Sequence, residues 1–388
     1  MLDGLKTLVI GGGIGGLAVA RALALRGADV TVLEQAAEIA EVGAGLQISP
    51  NGFAVLRALG LDQGLRATSV QGRAVALHDY QHGEVLRLDL GLLEDQNYYF
   101  VHRADLIDLL ADGARDAGVK IRLMQKVDQV VPGEKPKVIM ANGAEIEADL
   151  VVGADGLHSR LRPVLNGDNP PFFTGQVAWR AIVPNDAGRG PEARVHMGPH
   201  RHLVSYPLRG GRDMNIVAVQ ERGKWANESW SQRDDPETLR AVFSDFGPDV
   251  QAMLAKVDEV HLWGLFRHMV APVWQGGGTA LLGDAAHPTL PFMAQGAVMA
   301  LEDAWVLADA LARQDTLADG LSSYQHRRAA RVQRVINVAN GNARKYHLSF
   351  GPLRWAAHSA LRLGGSVAPK RMMTRFNWLY GYDVTRDS

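Results

Sequence analysis

The sequence predicts an α/β protein in which a helix-flanked parallel sheet is interrupted by a second, antiparallel sheet and followed by helices. Three observations lead to this fold class. The chain opens with an apolar run, a glycine-rich turn and a helical pattern, then a second apolar run ending in an acid. Two further apolar runs far downstream each end in glycine beside aspartate. Between these two lie short β-rich segments divided by Gly and Pro clusters, and after them the pattern turns helical.

Composition bounds the chemistry. The chain has 388 residues, 47% of them apolar and 21% charged, enough for two or three domains with a sizeable core, which excludes a disordered or fibrous protein. There is no cysteine, so disulfide scaffolds, thiolate metal sites, iron–sulfur clusters and thiol nucleophiles are excluded together. A net charge of −1 carries no footprint for nucleic acid, and a small-molecule partner is expected instead. Residues 8–25 follow Lys6 much as a signal peptide would, but five glycines and Arg21 interrupt them. No other stretch is apolar enough for a membrane span, and a cytoplasmic protein is expected. Glycine, at 42 residues, exceeds its usual share of about 7%, so the positions of those glycines matter.

The elements follow in order. Lys6–Ile10 suits a buried parallel strand, and Gly11 to Gly16 then supply G-x-G-x-x-G ahead of a helix marked by Leu17, Ala20, Leu23 and Ala24. Asp29–Leu33 is a second strand, ending at Glu34 and Gln35. Gly11 permits the tight turn, Gly13, next to Ile14, lets a pyrophosphate approach the backbone, and Gly16 lets helix pack on strand. The helix N-terminus favours the phosphate charge, and Glu34 suits a ribose diol. A bound dinucleotide is expected, NAD and FAD both remaining open at this point. Downstream, Asp149 to Gly156 and Thr279 to Pro288 repeat the strand–glycine–aspartate pattern, which suits hydroxyl-bearing ligands that approach the backbone. Residues 172–270 read as the inserted sheet through runs such as Val177–Val183, Arg194–Tyr206 and Met214–Val219, with strands from 72–100 added to it. From 298 onward the chain reads helical, interrupted at Gly364, Gly365 and Pro369, with Glu302 and Asp303 off the apolar stripe of the first helix. Gln295, Gly296 and Ala297 begin that helix, so their N–H groups are free donors suited to negative charge.

Taken together, Gly11 to Gly16, Val101-His-Arg103-Ala-Asp-Leu106, Gly153-Ala-Asp155-Gly156 and Gly283-Asp284-Ala-Ala-His-Pro288 resemble the class A flavoprotein aromatic hydroxylases, the family of para-hydroxybenzoate hydroxylase. Residues 202–207, 291–297 and 377–383 resemble the group containing 3-hydroxybenzoate 6-hydroxylase, salicylate hydroxylase and 6-hydroxynicotinate 3-monooxygenase. The resemblance implies a Rossmann-like, GR2-type FAD-binding domain formed by 1–71, 101–171 and 271–388, and a substrate-binding β-sheet domain formed by 72–100 and 172–270. It implies tightly bound FAD, NADH or NADPH as transient co-substrate, O2, and no metal. The ADP part of FAD falls to Gly11, Gly13, Ile14, Gly16, Glu34 and Gln35, and the isoalloxazine to the loop Gly43-Ala44-Gly45. Arg103 contacts FAD from the start of its helix; without the resemblance it is a solvated helix-terminal charge. Asp155 serves FAD and nicotinamide, Gly283 and Asp284 the ribityl chain, and Gly296 and Ala297 the reduced flavin. A homodimer is an expectation of the family alone.

His202 and Tyr206 alternate on one face of a strand. Oxygen transfer from a flavin C4a-hydroperoxide to a phenol needs the phenolate, and His is the natural base near neutral pH. Read alone, a strand His is structural; the resemblance assigns His202 to the base, Tyr206 to orienting the substrate and Gln295 to bonding its hydroxyl or the peroxide. His287 is expected to pack or cap. Arg180 reads as a solvated strand residue, with bidentate pairing to an aromatic carboxylate as the alternative. Gln47 and Gln295 argue against a hydroxypyridine acid, and His202, where urate-oxidising relatives carry Arg, argues against purines. The reading is a phenolic aromatic acid. Alternatives are a hydroxypyridine acid, a polyketide or isoprenoid substrate, an NAD-dependent dehydrogenase, and an inert flavin-binding regulator.

Overall fold

A computed structural model describes residues 1–39, 44–223 and 233–386. Lys6–Ile10 and Asp29–Leu33 form the centre of a six-stranded sheet, in the order Gln275–Gly276, Thr279–Leu281, Leu150–Gly153, Lys6–Ile10, Asp29–Leu33, Lys120–Arg122. All its pairings are parallel except that of the Gln275–Gly276 edge. Its central strands are uniformly apolar because both faces are covered, and Val9, Val32, Leu150, Val151 and Val152 are buried. Helices Ile14–Ala24 and Gly296–Arg313 pack against each other and belong to the same core. The three glycine-bearing turns therefore converge at the carboxyl ends of adjacent strands, where open α/β sheets bind ligands.

The inserted region forms an eight-stranded sheet in the order Arg233–Asp234, Val260–Arg267, Phe172–Pro184, Asp213–Glu221, Arg201–Leu208, Glu192–Gly198, Ala74–Asp79, Gly83–Asp89. It is antiparallel except where Glu192–Gly198 joins Ala74–Asp79 in parallel. Alternation sets its two faces. Val177, Trp179, Ala181 and Leu203 bury against helices Pro236–Val242 and Pro248–Leu254, whereas Ala178, Arg180, His202, Val204 and Tyr206 point the other way. Those two helices are a departure from the all-strand expectation for 172–270.

Two further differences have local causes. The run Arg194–Tyr206 is two strands, because Gly198, Pro199 and His200, the last at φ 60°, turn the chain back on itself. Gly364 and Gly365 do not interrupt a helix; they lie within Gly351–Val367. A Cβ on Gly365 would come 2.7 Å from Leu86, so this glycine permits close packing on the sheet edge. Pro369 does open a new helix. Among the described residues no helix is long and apolar enough to cross a membrane.

Candidate active site

A cavity of about 640 Å³ runs from the glycine-rich turn to the inner face of the eight-stranded sheet. At its first end lie Gly11, Gly13, Ile14, Glu34 and Gln35. Gly11 has φ 102° and a Cβ there would sit 2.5 Å from the Ala154 carbonyl oxygen, so glycine is required by both conformation and space. Gly16 does not line the cavity; a Cβ on it would fall 2.0 Å from the Gly11 oxygen, which is the close helix–strand approach expected of it. Gly13 differs from both, for a Cβ there would meet no protein atom within 4 Å. Glu34 accepts from Gly12 N–H at 2.7 Å and Ala36 N–H at 2.8 Å, which fixes its carboxylate at the cavity edge.

Further along, Arg103, Asp155, Gly283, Asp284, Gly296 and Ala297 line the same cavity. Burial pulls the Arg103 guanidinium below its ordinary pKa, and burial pushes the Asp155 and Asp284 carboxyls up. The Asp155 carboxylate accepts from Arg160 N–H at 2.7 Å. Two helix N-termini, at Ile14 and at Gly296, open onto the cavity without a side-chain cap. Each carries roughly half a positive charge on unsatisfied N–H groups. One uncapped end beside a turn shaped for pyrophosphate and a second toward the far end fit a dinucleotide with an anionic group at each position. Ala44 is buried outside the lining, its carbonyl accepting from Arg103 N–H at 2.9 Å. Gly45 lines the cavity, bonds Asn215 Oδ1 at 2.7 Å, and would drive a Cβ to 2.6 Å from the Tyr206 ring. Gly43 lies outside the described residues.

Gln295 requires a correction. Its side chain is 1% exposed and turned away from the cavity: Nε2 donates to Ser49 Oγ at 3.0 Å and Oε1 accepts from Asn51 Nδ2 at 3.1 Å. Asn51 Nδ2 also donates to Glu302 at 2.7 Å. Glu302 and Asp303, which the helical pattern set off the apolar stripe, are wholly buried. Arg328, equally buried, is 2.7 Å from each, and Arg331 is 2.7 Å from Glu302. Asp303 further accepts from Gly283 N–H at 3.0 Å and meets His287 at 2.5 Å. Burial alone would raise the Asp303 carboxyl, but His287 and Arg328 overcome that and hold it at about 2. This network ties the Gly283 turn and the Gln295 loop to the long helix Leu317–Tyr346. Gln295 and His287 thus brace the turns whose backbone faces the cavity.

The far wall is the sheet face carrying His202, Val204 and Tyr206, paired through Val219, Val217 and Asn215 with Ala178, Arg180 and Ile182. His202 lines the cavity yet is 2% exposed, packed among the rings of Phe292, Tyr346 and His347. Its Nδ1 lies 2.7 Å from His347 Nε2, which leaves Nε2 as the nitrogen for the cavity side. Burial, and then His347 beside it, hold His202 well below the usual imidazole pKa. Tyr206 stacks at a tilt on Phe100, 5.2 Å between centroids, and burial raises its hydroxyl.

Arg180 is the residue that sequence reasoning set aside. It lines the cavity instead of facing bulk water, its Nε is buried without a hydrogen-bond partner, and it lies 4.2 Å over the Trp263 ring. Among the described residues no carboxylate pairs with it. Burial, then the Arg103 charge, lowers it to about 10. The signal was present: Val177, Trp179, Ala181 and Val183 mark the core face, so Arg180 belongs to the face of His202. Nothing in the sequence pattern points to His347, which arrives from 145 residues away.

Comparison with known proteins agrees with this geometry. Residues 4–339 match the family described as FAD binding domain. The chain is 34% identical to a 3-amino-4-hydroxybenzoate 2-monooxygenase of Streptomyces platensis, over 98% of this chain and 96% of that one. It is also 34% identical to a 3-hydroxybenzoate 6-hydroxylase of Polaromonas naphthalenivorans, again over 98% and 96%. Among solved structures, Klebsiella pneumoniae HpxO complexed with FAD is 26% identical, covers 96% of this chain and 97% of its own, and superposes with a TM-score of 0.83.

Proposed function

The chain belongs to the FAD binding domain family, among its flavoprotein aromatic hydroxylases, and from that premise we propose that it hydroxylates a phenolic aromatic acid of the hydroxybenzoate kind, using NADH or NADPH and O2. The observation that carries this reading is the sheet face on which a buried, neutral His202, Tyr206 and an unpaired Arg180 converge on one cavity.

In this reading FAD, reduced by the nicotinamide, supplies the electrophilic oxygen drawn from O2. Gly11, Gly13 and Ile14 receive the pyrophosphate, Glu34 the ribose diol with Gln35 beside it, and Arg103, Asp155, Gly283 and Asp284 the middle of the cofactor. Gly296 and Ala297 turn a positive helix end toward the flavin, with Gly45 beside it. His202 Nε2 takes the phenolic proton, since burial keeps the imidazole neutral and able to accept. The phenolate then pushes electron density to its ortho and para carbons. Arg180 pairs with the substrate carboxylate, and Tyr206 orients the ring. Residues 1–71, 101–171 and 271–388 make the cofactor unit and 72–100 with 172–270 the substrate unit, a division that strand pairing favours. The work is assigned to the cytoplasm.

The test is a panel of 3-hydroxybenzoate, salicylate, 4-hydroxybenzoate, 3-amino-4-hydroxybenzoate and 6-hydroxynicotinate, scored for NAD(P)H oxidation and for hydroxylated product by mass. One of the benzoates is expected to yield product, and His202→Ala to slow hydroxylation about 10²-fold or more. Flavin that is reduced at the same rate with and without every acid, or a His202→Ala enzyme as active as the parent, would sink the reading.

A further inference from the structure

His202 does not end at the cavity wall. Its Nδ1 is 2.7 Å from Nε2 of His347, whose Nδ1 is 2.8 Å from Oε1 of Glu221. The other oxygen of Glu221 lies 2.7 Å from Nδ1 of His200, which is 61% exposed on its side chain. Four side chains thus form an unbroken row of hydrogen bonds from a buried cavity wall to bulk water. The row is held by the backbone as well. Glu221 N–H donates to the His200 carbonyl at 2.9 Å, and His200 N–H to the His347 carbonyl at 3.3 Å.

The chemistry needs such a path. A proton taken from a phenol by His202 makes an imidazolium where burial opposes it most, and the surrounding Phe292 and Tyr346 rings offer no countercharge. The titratable and charged groups facing the row are few: Tyr346 beside His202, and Glu221 and His200 beside His347. Burial lowers His347 too, but the Glu221 bond offsets part of that, and His347 sits at the C-terminus of the helix Leu317–Tyr346, where positive charge is favoured. Each step outward is toward a better home for the proton.

We infer that His347, Glu221 and His200 are a proton relay that connects His202 to solvent; this rests on the hydroxybenzoate reading above. In the resting row His202 Nδ1–H donates to His347 Nε2, and His347 Nδ1–H donates to Glu221. When the substrate hydroxyl gives its proton to His202 Nε2, the Nδ1 proton of His202 passes to His347 Nε2. The Nδ1 proton of His347 passes in turn to Glu221, and one proton leaves to water at the Glu221–His200 end. No bond to carbon changes and no electron moves. When the hydroxylated ring regains aromaticity it loses a ring proton and its oxygen needs one, so return transfer along the row restores the original tautomers.

The experiment uses the FAD-loaded enzyme without nicotinamide, so that no turnover intervenes. It is mixed with 3-hydroxybenzoate, salicylate, 4-hydroxybenzoate or 3-amino-4-hydroxybenzoate in weak buffer with an indicator dye, and proton release is timed by stopped flow. Glu221→Gln keeps the shape of the acceptor and loses its basicity; His347→Gln breaks the row one step earlier. Both are expected to slow release about tenfold or more, while the affinity for benzoate, which has no hydroxyl proton, changes less than about twofold. Release as fast as the parent's in either variant overturns the relay, as does an equal loss of benzoate affinity, which marks a merely structural role. If the parent itself releases no proton with any of the four acids, the hydroxybenzoate reading falls and the relay with it, an outcome distinct from unchanged rates in the variants.

Discussion

Arg180→Met tests the substrate class most directly. In the parent, the guanidinium lies over Trp263, has a buried Nε without a partner, and stands near the like charge of Arg103, so the fold gains no ion pair from it. A carboxylate brought into the cavity would supply the missing partner, and removing one member of a buried, hydrogen-bonded charge pair costs about 2–5 kcal/mol. Arg180 is only partly shielded at the cavity surface, so the low end of that range applies. About 2–3 kcal/mol corresponds to a dissociation constant raised roughly 30- to 150-fold. Met keeps much of the length and the contact with Trp263, which confines the change to charge and hydrogen bonding. The assay is titration of the oxidised enzyme, followed by the flavin absorption band, with 3-hydroxybenzoate and with 3-hydroxybenzyl alcohol, which keeps the phenol and lacks the carboxylate. Acid binding is expected to weaken as stated, alcohol binding to change less than about threefold, and the thermal midpoint to hold or rise because an unpaired cation has left a buried site. Equal weakening of both ligands, or none for the acid, would refute Arg180 as the carboxylate anchor.

Further predictions concern the cradle and its bracing. Gly13→Ala should leave the thermal midpoint of the FAD-free protein unchanged while weakening FAD binding, whereas Gly11→Ala should destabilise the FAD-free protein itself, since its Cβ would strike the Ala154 oxygen at φ 102°; matched midpoints in a thermal scan would contradict this. Arg328→Met leaves the buried Glu302 and Asp303 short of a cation and is expected to cost about 3–5 kcal/mol. At roughly 0.8 kcal/mol per degree for a chain of 388 residues, that lowers the midpoint followed by circular dichroism by about 4–6 °C, and a shift below about 1 °C would exclude a stabilising role. Because the folded state holds Asp303 at about 2, below its unfolded value near 3.9, that carboxylate contributes stability above about pH 4 which is lost as pH falls toward 2; in Arg328→Met the loss should begin at higher pH, as read by flavin release during acid titration.

What was legible in the sequence is what local rules govern. The Lys6–Ile10 strand, the turn at Gly11 and the strand ending at Glu34 could be read because the spacing of one βαβ unit is a short-range constraint, and the structure has Asp29–Leu33 with the bounds expected. The shared face of His202 and Tyr206 follows from a period of two in any strand. Gln295 was misread for a physical reason: its backbone does face the cavity, but its amide is claimed by Ser49 and Asn51, partners some 245 positions earlier that no local pattern announces. Glu302 and Asp303 mislead in the same way, since a helical wheel assigns acids to water unless Arg328, a turn and more into the next helix, is known to meet them.

The same distinction bears on the base itself. A lone buried histidine can be neutral and well placed and still be slow, because an imidazolium formed in an apolar wall has nowhere to send its charge. What separates His202 from a satisfied core histidine is therefore not its strand or its burial, which the two share, but the partner on its far nitrogen. His347, Glu221 and His200 come from a helix end, a strand end and the turn of a hairpin, and only the closure of the sheet against the C-terminal helices brings them into line. If the relay holds, substitutions at Glu221, far from any atom of the substrate, should change the pH dependence of hydroxylation without changing which acid is accepted, while substitutions at Arg180 should do the reverse.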